Sequence, residues 1–418
     1  MANSRQCGTT GGVTQREPTG MFGSLQVPNY RLFATGQVVS LIGTWGQRVA
    51  QDWLVLELSG GSPVALGIAV GLQFCPTLVL SLWAGVLADR YDKRRLLIAG
   101  QVGMGLCALL LGLLDVGGVV QIWHVYLLCV LLGCFSAVDA AVRQAFVVEM
   151  VGRGQVTNAI ALNSMTFNLA QIIGPAVAGL AIVAVGTGWV FLGNAASFAG
   201  VVIGLALMDV TRLHRSAPVP RRAGQLREGL GYVRHHPDLV VPLTLVFFVA
   251  TFGLNFHTTL PVVVRNVFGR GADAYGLLAA LLAVGTLAGA TLAAGRSGRP
   301  RRRILVGAAL AFGLLEVGVG LMPNYVAFGL MLVPCGAAAL TFITAANSTV
   351  QLSVDATMRG RVMGLYMLLF LGGKPLGGPL LGWIAEEMGG RAPIVVGGTV
   401  TVLATLACGA VLTRRPST

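Results

Sequence analysis

Charged residues are scarce in this sequence of 418 residues: they make up 11% of it, whereas hydrophobic residues make up 55%. Soluble domains carry about a quarter charged residues, and one water-soluble core of this length could not hide so much apolar surface. A lipid bilayer is therefore the expected solvent. The net charge of +13 would suggest nucleic-acid binding in a soluble chain, but the hydrophobicity excludes that class.

Patterns of reactive or metal-binding side chains are missing as well. The seven cysteines are scattered, mostly inside apolar runs, without a CxxC or Cys/His cluster, so we interpret them as small buried hydrophobes and predict no metal site. The sequence also contains neither a Walker loop nor a set of residues typical of a catalytic nucleophile. We therefore predict that the protein is not an enzyme, has no cofactor and is not driven directly by ATP. The first 28 residues contain no apolar core of a signal peptide and are predicted to be a cytoplasmic tail.

The sequence does contain a succession of apolar runs of about 20 residues, the length at which a helix crosses about 30 Å of hydrocarbon. We therefore predict an all-α membrane protein. Its twelve transmembrane helices are placed at residues 31–58, 64–88, 96–114, 122–142, 159–185, 188–208, 239–261, 273–294, 304–322, 325–348, 361–385 and 393–412.

The basic residues indicate on which side of the membrane each loop lies. If the N-terminus is inside, the cytoplasmic segments hold 24 of the 29 lysines and arginines, and the external loops hold three, Arg265, Arg270 and Arg391. This bias follows the positive-inside rule and predicts that both termini are cytoplasmic. The other two cations, Arg48 and Lys374, fall within predicted helices.

The two halves of the chain resemble each other. Gly174-Pro175 in the fifth predicted helix and Gly378-Pro379 in the eleventh are 204 residues apart. Two pseudo-symmetric six-helix bundles suit alternating access, in which one bundle rocks against the other around a central site. The predicted organisation is a tail at 1–29, bundles at 30–208 and 239–412, a basic cytoplasmic linker at 209–238 and a tail at 413–418.

The loop after the second predicted helix carries the most specific local pattern, GVLADRYDKRR at residues 85–95. It resembles the motif G-x-L-A-D-R-x-G-R-K of the major facilitator superfamily of transporters, and it departs from that motif at Asp92, where glycine is usual. The alternative is a basic cytoplasmic loop with no further role. The matching positions are Gly85, Leu87, Ala88, Asp89, Arg90, Lys93 and Arg94.

The resemblance implies that this loop is an inner gate, closed while the outside is open. Asp89 is then expected at the positive N-terminal end of the eleventh helix, which begins near Arg359 and Arg361. Asp92 puts the tight turn of the family loop in doubt and adds a second acid to the gate.

The inner end of the fourth predicted helix is the expected partner of the basic residues of this loop. Lys93 or Arg94 can pair with an acid there, and Asp139 is well placed for it. Asp139 and Arg143 stand four residues apart, a spacing that lets them pair on one helix. We interpret both as part of the gate.

The fifth predicted helix contains Gly174, Pro175 and Gly179, which resemble the G-P-x-x-x-G core of a motif associated with antiporters in this superfamily. Proline kinks a helix and glycine allows close packing, and the resemblance favours export over uptake. Longer stretches, such as RVAQDWLVLELSGGSPVALG and RGRVMGLYMLLFLGGKPLGGPLLGW, resemble the branch of macrolide, enterobactin and multidrug exporters. That resemblance implies a monomer that works alone.

Charges inside a bilayer are costly, at about 2.5 kcal/mol or more at a helix centre, so they are candidates for function. The first helix carries a polar stripe that includes Gln47 and Gln51 and is expected to face a water-filled cavity. Asp52 is the leading candidate for proton coupling, with Arg48 four residues before it and close enough to pair. The alternative is a structural ion pair.

Other polar residues within predicted helices are candidates for the cavity, and interhelical hydrogen bonding is the alternative for each. Lys374 could bind an anionic group of a substrate or pair with an acid. Glu316 lies in the middle of the ninth helix and has no explanation from the sequence. The remaining cavity candidates are Asn168, Gln171, Asn255 and His257.

These observations predict a secondary transporter whose partners are a small-molecule substrate, the proton and the lipid bilayer. Our first hypothesis is proton-coupled export of a hydrophobic small molecule such as an antibiotic or drug. The alternatives are a siderophore or metabolite exporter on the same fold, which Arg48 and Lys374 would favour if both line the cavity, and a transporter-like sensor or scaffold.

Overall fold

The computed structural model describes residues 23–214, 225–294, 302–355 and 358–413, and the regular structure in these ranges is helical. A short linker helix, Gln225–His235, precedes the seventh of twelve long helices. These are α1 (Pro28–Leu58), α2 (Pro63–Arg90), α3 (Lys93–Val116), α4 (Ile122–Gly152), α5 (Gly154–Val185), α6 (Thr187–Ala206), α7 (Asp238–Val267), α8 (Ala272–Ala294), α9 (Arg302–Leu321), α10 (Tyr325–Ser353), α11 (Arg359–Met388) and α12 (Ala392–Thr413).

Within the described ranges, eleven helices are long and apolar enough to cross a membrane, and α1 is the long helix that does not meet this criterion. α1 has 31 residues, but Arg48, Asp52, Glu57 and several glutamines lower its mean hydropathy. It packs against α6 and the α4–α5 pair, so its polar side chains need not face lipid. The predicted all-α fold with twelve long helices is confirmed.

Local capping explains why the chain turns where it does. Pro63 opens α2 and the Ser62 side chain accepts a hydrogen bond from the Ala65 N–H. Asp92, which we expected to disturb its turn, is the N-cap of α3, and its Oδ1 accepts from the Arg95 N–H at 3.0 Å. Gly152, at φ 68°, separates α4 from α5.

The predicted boundary between the fourth and fifth helices is wrong. We expected a loop at 143–158, whereas α4 and α5 continue through this stretch and are interrupted only around Gly152. The stretch contains no proline, and apolar residues such as Phe146 and Met150 are buried, so the helices extend beyond the apolar runs that reveal them.

Part of the predicted N-terminal tail packs on the helices. Residues 1–22 lie outside the described ranges, but Gly23–Gln26 forms a 3-10 turn. The Ser24 hydroxyl donates to Asn158 Oδ1 at 2.7 Å, and the Asn29 amide donates to the Asp209 carbonyl at 2.8 Å. Residues 23–29 are therefore attached to the ends of α5 and α6.

Equivalent helices pack in the same pairs in both halves of the chain. In the first half, α2 packs on α4 and α3 packs on α6; in the second, α8 packs on α10 and α9 packs on α12. Small residues stand at these crossings, for example Gly105 beside Phe198 and Gly313 beside the Gly398 carbonyl. The repeated pairing agrees with the internal resemblance in the sequence.

The two halves meet closely at one end of the helices. We call it the outer end, because the charge pattern predicts it to be extracellular; its loops lie at 59–62, 268–271 and 389–391. α2 packs on α11 there, at Gly67 and Gly378, where a Cβ on Gly67 would collide with the Gly378 carbonyl. The opposite end, with residues 91–92 and the linker helix, is called the inner end.

A second crossing at the outer end joins α5 to α8. Gly179 lies against the Ala272 carbonyl, and Gly276 lies against the Pro175 carbonyl. Two hydrogen bonds reinforce this end: the Asn266 amide donates to the Gly61 carbonyl at 3.0 Å, and the Ser62 hydroxyl donates to Glu386 Oε2 at 3.3 Å. The halves are therefore in contact at the outer end in this state.

Candidate functional site

Asp52 of α1 lies where α1 meets α7 and α8, and its side chain is buried at 4% exposure. The Tyr275 hydroxyl on α8 donates to Asp52 Oδ2 at 2.7 Å. His257 Nδ1 on α7 lies 3.5 Å from the same oxygen. One carboxylate oxygen thus joins the first half of the chain to two helices of the second.

Arg48 does not take the position opposite Asp52 that its spacing suggested. Its guanidinium carbon lies 4.5 Å from the centroid of the Trp45 ring and 6.0 Å from that of Phe74. A guanidinium over an aromatic face is a cation–π contact. The two side chains predicted to pair therefore turn to different partners, because Tyr275 and His257 occupy the carboxylate.

Lys374 of α11 reaches the same aromatic residue from the second half of the chain. Its Nζ lies 4.2 Å from the centroid of the Phe74 ring. Lys374, Phe74 and Arg48 are all half-buried, and no acidic ion-pair partner of either cation is found in the part of the chain that the structure describes. We call Arg48, Phe74 and Lys374 the cation site.

Aromatic stacking connects the cation site to Asp52. The rings of Trp45 and His257 are stacked, with centroids 5.9 Å apart and an angle of 21° between their planes. Trp45 also contacts Phe167 edge-on at 5.6 Å. His257 therefore contacts both Asp52 and the tryptophan beneath Arg48.

A cavity of about 40 Å³ lies beside this cluster. A single water needs about 10–15 Å³ by this measure, so the cavity can hold a few waters but not a substrate. Gln171, a candidate for the transport cavity, is one of its lining residues. The lining residues are Trp45, Val49, Gln171, Pro175, Phe256, His257, Leu260, Tyr275, Ala279, Leu282 and Ala283.

α7 is irregular where it approaches the site. A π-helical turn at Val249–Gly253 is followed by Leu254 at φ −86° and ψ 28°, outside the helical region. The Asn255 amide donates to the carbonyls of Ala250 at 3.1 Å and Thr251 at 2.7 Å. Asn255, predicted to line the cavity, is instead buried and stabilises this turn, an arrangement typical of π-bulges at functional sites.

The polar stripe of α1 does not face an open cavity, so that prediction is wrong. The Asn194 amide on α6 donates to Gln47 Oε1 at 2.5 Å. The Gln51 amide donates to Gln73 Oε1 on α2 at 2.9 Å. Both glutamines are buried, because interhelical hydrogen bonds satisfy them inside the first half.

The three residues of the antiporter-like motif shape the contacts of α5. Gly174 lies against the Ile42 carbonyl and Trp45 of α1, and Gly179 lies against α8. Pro175 lies inside α5 and lines the small cavity. Asn168, nearer the inner end, is half-buried and its amide donates to the Ser164 carbonyl at 2.8 Å.

At the inner end the basic loop finds other partners than we predicted. Lys93 Nζ pairs with Glu149 Oε1 on α4 at 2.7 Å, not with Asp139. The Arg94 guanidinium donates to the carbonyls of Leu205 at 2.6 Å and Ala206 at 2.7 Å, at the C-terminal end of α6. Glu149 lies further along α4, which continues past its predicted end.

Asp139 and Arg143 do form the predicted pair on α4. The Arg143 Nε–H donates to Asp139 Oδ2 at 3.0 Å, and the Gln101 amide on α3 donates to Asp139 Oδ1 at 2.8 Å. This buried network joins α3 to α4 within the first half.

Gly85 and the Asp89 side chain, and with them the expected contact between Asp89 and α11, lie outside the described residues. Arg90 is exposed. At the start of α11, Arg361 Nη1 pairs with Glu228 Oε2 of the linker helix at 2.7 Å. Three hydrogen bonds that join the two halves lie toward the outer end, at Gly61, Ser62 and Asp52.

Sequence reasoning missed Tyr275, Trp45 and Phe74. Each is an aromatic residue in an apolar helix, where core packing is the ordinary expectation. A signal was available for Trp45, which stands three residues before Arg48 in the polar helix. Phe74 and Tyr275 could not be linked to charges on other helices without the fold.

The sequence model of a family described as transmembrane secretion effector, a family of the major facilitator superfamily, matches residues 19–416. The staphyloferrin A transporter of Staphylococcus aureus is 29% identical over 61% of this chain and 64% of its own length, a little under two thirds. The enterobactin exporter of Shigella boydii is 27% identical over 86% of each chain.

Solved structures with the same fold are more distant in sequence. A bacterial homologue of the human lysosomal transporter Spinster, in an inward-facing conformation, gives a TM-score of 0.72 at 16% identity and covers 94% of this chain and 99% of that one. A D-xylose–proton symporter gives 0.69 at 14% identity and covers 90% and 97%. These similarities concern the fold alone.

Proposed function

Because this chain belongs to the transmembrane secretion effector family of the major facilitator superfamily, we propose that it exports an anionic, metal-chelating small molecule in exchange for protons. The observation that carries this proposal is the cation site. Arg48 and Lys374 come from different halves of the chain and share the ring of Phe74. Alternating access needs a site of this kind, which both halves contribute to.

The charge of the site favours an anionic substrate. Cations at membrane depth are costly unless they are compensated. Here each lies against an aromatic face, and one acid, Asp52, acts electrostatically on both. A carboxylate or catecholate oxygen would provide the missing charge, and Arg48 can hold such a group through two parallel N–H donors. Two relatives carry names that refer to siderophores, staphyloferrin A and enterobactin, which agrees with this substrate class.

Asp52 is the proposed site of proton exchange. An ionised Asp52 accepts the Tyr275 hydroxyl and, when His257 is protonated at Nδ1, the imidazole N–H. Both contacts stabilise the ionised carboxylate, so they favour release of a proton toward the cytoplasm while the outer end is closed. When the outer end opens, Tyr275 and His257 move away with the second half, and Asp52 can take up a proton from outside as the substrate leaves.

The observed state is closed at the outer end, by the α2–α11 and α5–α8 crossings and the hydrogen bonds at Gly61 and Ser62. With the orientation that the basic residues predict, this is the inward-facing state, ready to receive substrate from the cytoplasm. Lys93 and Arg94 then hold contacts within the first half and are available to close the inner end in the opposite state.

The test is accumulation of three compounds in an expressing host, with and without a protonophore: a carboxylate chelator, a catecholate chelator and a neutral macrolide. We expect lower accumulation of a chelator, an effect lost with the protonophore. Lys374→Met should abolish it, whereas Lys374→Arg, which keeps the charge, should retain most of it.

Export of a neutral hydrophobic drug is the second candidate. An apolar groove of about 590 Å³ between α2, α7 and α11 favours it, because residues next to the cation site, Cys75 and Pro375, line that groove. Reduced accumulation of the macrolide alone, insensitive to Lys374→Met, would establish this candidate instead. Unchanged accumulation of all three compounds would favour a sensor or scaffold.

A further inference from the structure

Glu316 is an acid that the proposed mechanism does not use. It lies in the middle of α9, 2% exposed, and its Oε2 is buried without a hydrogen-bond partner. An ionised carboxylate so placed would have neither a counter-charge nor a donor, which is strongly unfavourable in a membrane interior. The carboxyl group is therefore protonated and neutral in this state.

In the described part of the chain, no charged residue pairs with Glu316. α10 and α12, which pack on α9, contain no Lys, Arg, Asp or Glu between 325 and 353 or between 392 and 413. Cys335 of α10 is a titratable group close enough for Glu316 to act on it electrostatically. On α7, His257 faces Asp52, and Asp238 and Arg265 lie near the two ends of the helix.

Two glycines make room for the carboxyl group against the irregular part of α7. A Cβ on Gly253 would lie 3.0 Å from Glu316 Oε2, and a Cβ on Gly397 would lie 3.3 Å from Oε1. The Phe252 carbonyl borders the same space beside Gly397. A carboxyl and a carbonyl oxygen can approach one another favourably only when the carboxyl carries a proton to donate.

The same segment of α7 contacts the helix of Lys374 on its other side. Gly373, next to Lys374, packs on Ala250, and Gly377 packs on the Thr251 carbonyl. The π-helical turn Val249–Gly253 thus lies between Glu316 and the helix that carries half of the cation site. A change in the shape of this turn would move both.

We propose that Glu316 is a second proton-binding site of this transporter, which holds a proton against the irregular segment of α7 in this state and exchanges it when that segment changes shape. The chemistry is the reversible protonation of one carboxylate. The inference rests on the proposed exchange of substrate for protons and extends it from one acid to two.

The first experiment uses infrared difference spectroscopy of the purified full-length protein in lipid while the pH is stepped. We expect the carbonyl stretch of a protonated carboxylic acid at neutral pH, its loss in Glu316→Gln, and its persistence in Glu387→Gln, a matched change at an exposed acid of α11. A spectrum that Glu316→Gln leaves unchanged would overturn the proposal. This measurement needs no substrate and so decides the point even if the proposed function fails.

The second experiment measures protons moved per substrate molecule in proteoliposomes. The ratio should fall by one in Glu316→Gln and return in Glu316→Asp, which keeps a carboxyl group. An unchanged ratio and pH profile in Glu316→Gln would show that the acid is only structural. Absence of substrate-driven proton movement in the wild type would instead count against the proposed function.

Discussion

Asp52→Asn should shift the protein toward the state that is open at the outer end. In the structure Asp52 Oδ2 accepts the Tyr275 hydroxyl at 2.7 Å and lies 3.5 Å from His257 Nδ1, so it links α1 to α7 and α8. A hydrogen bond to a charged group contributes about 1.5–3 kcal/mol. Asparagine keeps an oxygen that can accept a hydrogen bond but loses the charge, so the contact should weaken by about 1–1.5 kcal/mol. Each 1.4 kcal/mol is about tenfold in an equilibrium constant, so the open fraction should rise about 5- to 10-fold.

The assay is the rate at which a membrane-impermeant maleimide, added from outside, labels a cysteine introduced by Ala272→Cys in a cysteine-free background. Ala272 is buried where α5 meets α8, so labelling reports opening of the outer end. Asp115→Asn is the control, because Asp115 accepts a hydrogen bond from Thr187 within the first half. Equal labelling rates in Asp52→Asn and the parent would refute the assigned role of Asp52.

Substitutions at three other contacts test the same closed state of the transporter. Tyr275→Phe should raise the labelling rate less than Asp52→Asn does, since the carboxylate and His257 remain; a larger effect would count against the assignment. Gly276→Val should prevent closure against the Pro175 carbonyl and reduce export more than tenfold with normal expression, and export at the wild-type rate would contradict the crossing. Lys93→Met and Glu149→Gln should be coupled in a double-mutant cycle of thermal stability, with a coupling energy of about 1 kcal/mol or more. The reason is that this ion pair is largely buried. Additive effects of the two substitutions would exclude a stabilising ion pair.

Features that depend on the bilayer could be predicted from the sequence alone. Apolar length and basic loops revealed the long helices, and Gly174, Pro175 and Gly179 lie at real crossings because backbone packing follows directly from those residue types. The boundary near residue 150 failed because a helix that leaves the membrane no longer needs apolar residues around its whole surface. Such an extension has no hydropathy signal.

Several residues of the candidate site could be predicted from the sequence, but the residues that they contact could not. Asp52, Arg48, His257 and Lys374 were identifiable because charges are rare at membrane depth. Their partners were not, since the choice of Tyr275 over Arg48 for Asp52 depends on how α8 crosses α1. Gln47 was misassigned for the same reason: a polar face on α1 is equally consistent with a cavity and with a bond to Asn194 of α6.

Substrate-driven proton movement is the measurement that tests the central claim most directly. The purified protein is reconstituted in liposomes with a pH-sensitive dye inside and an imposed proton gradient, and a carboxylate or catecholate chelator is added. We predict that the chelator speeds collapse of the gradient with the wild type and with Lys374→Arg, but not with Lys374→Met or Asp52→Asn. Collapse at the same rate with and without chelator, or in all four proteins alike, would contradict proton-coupled export through this site.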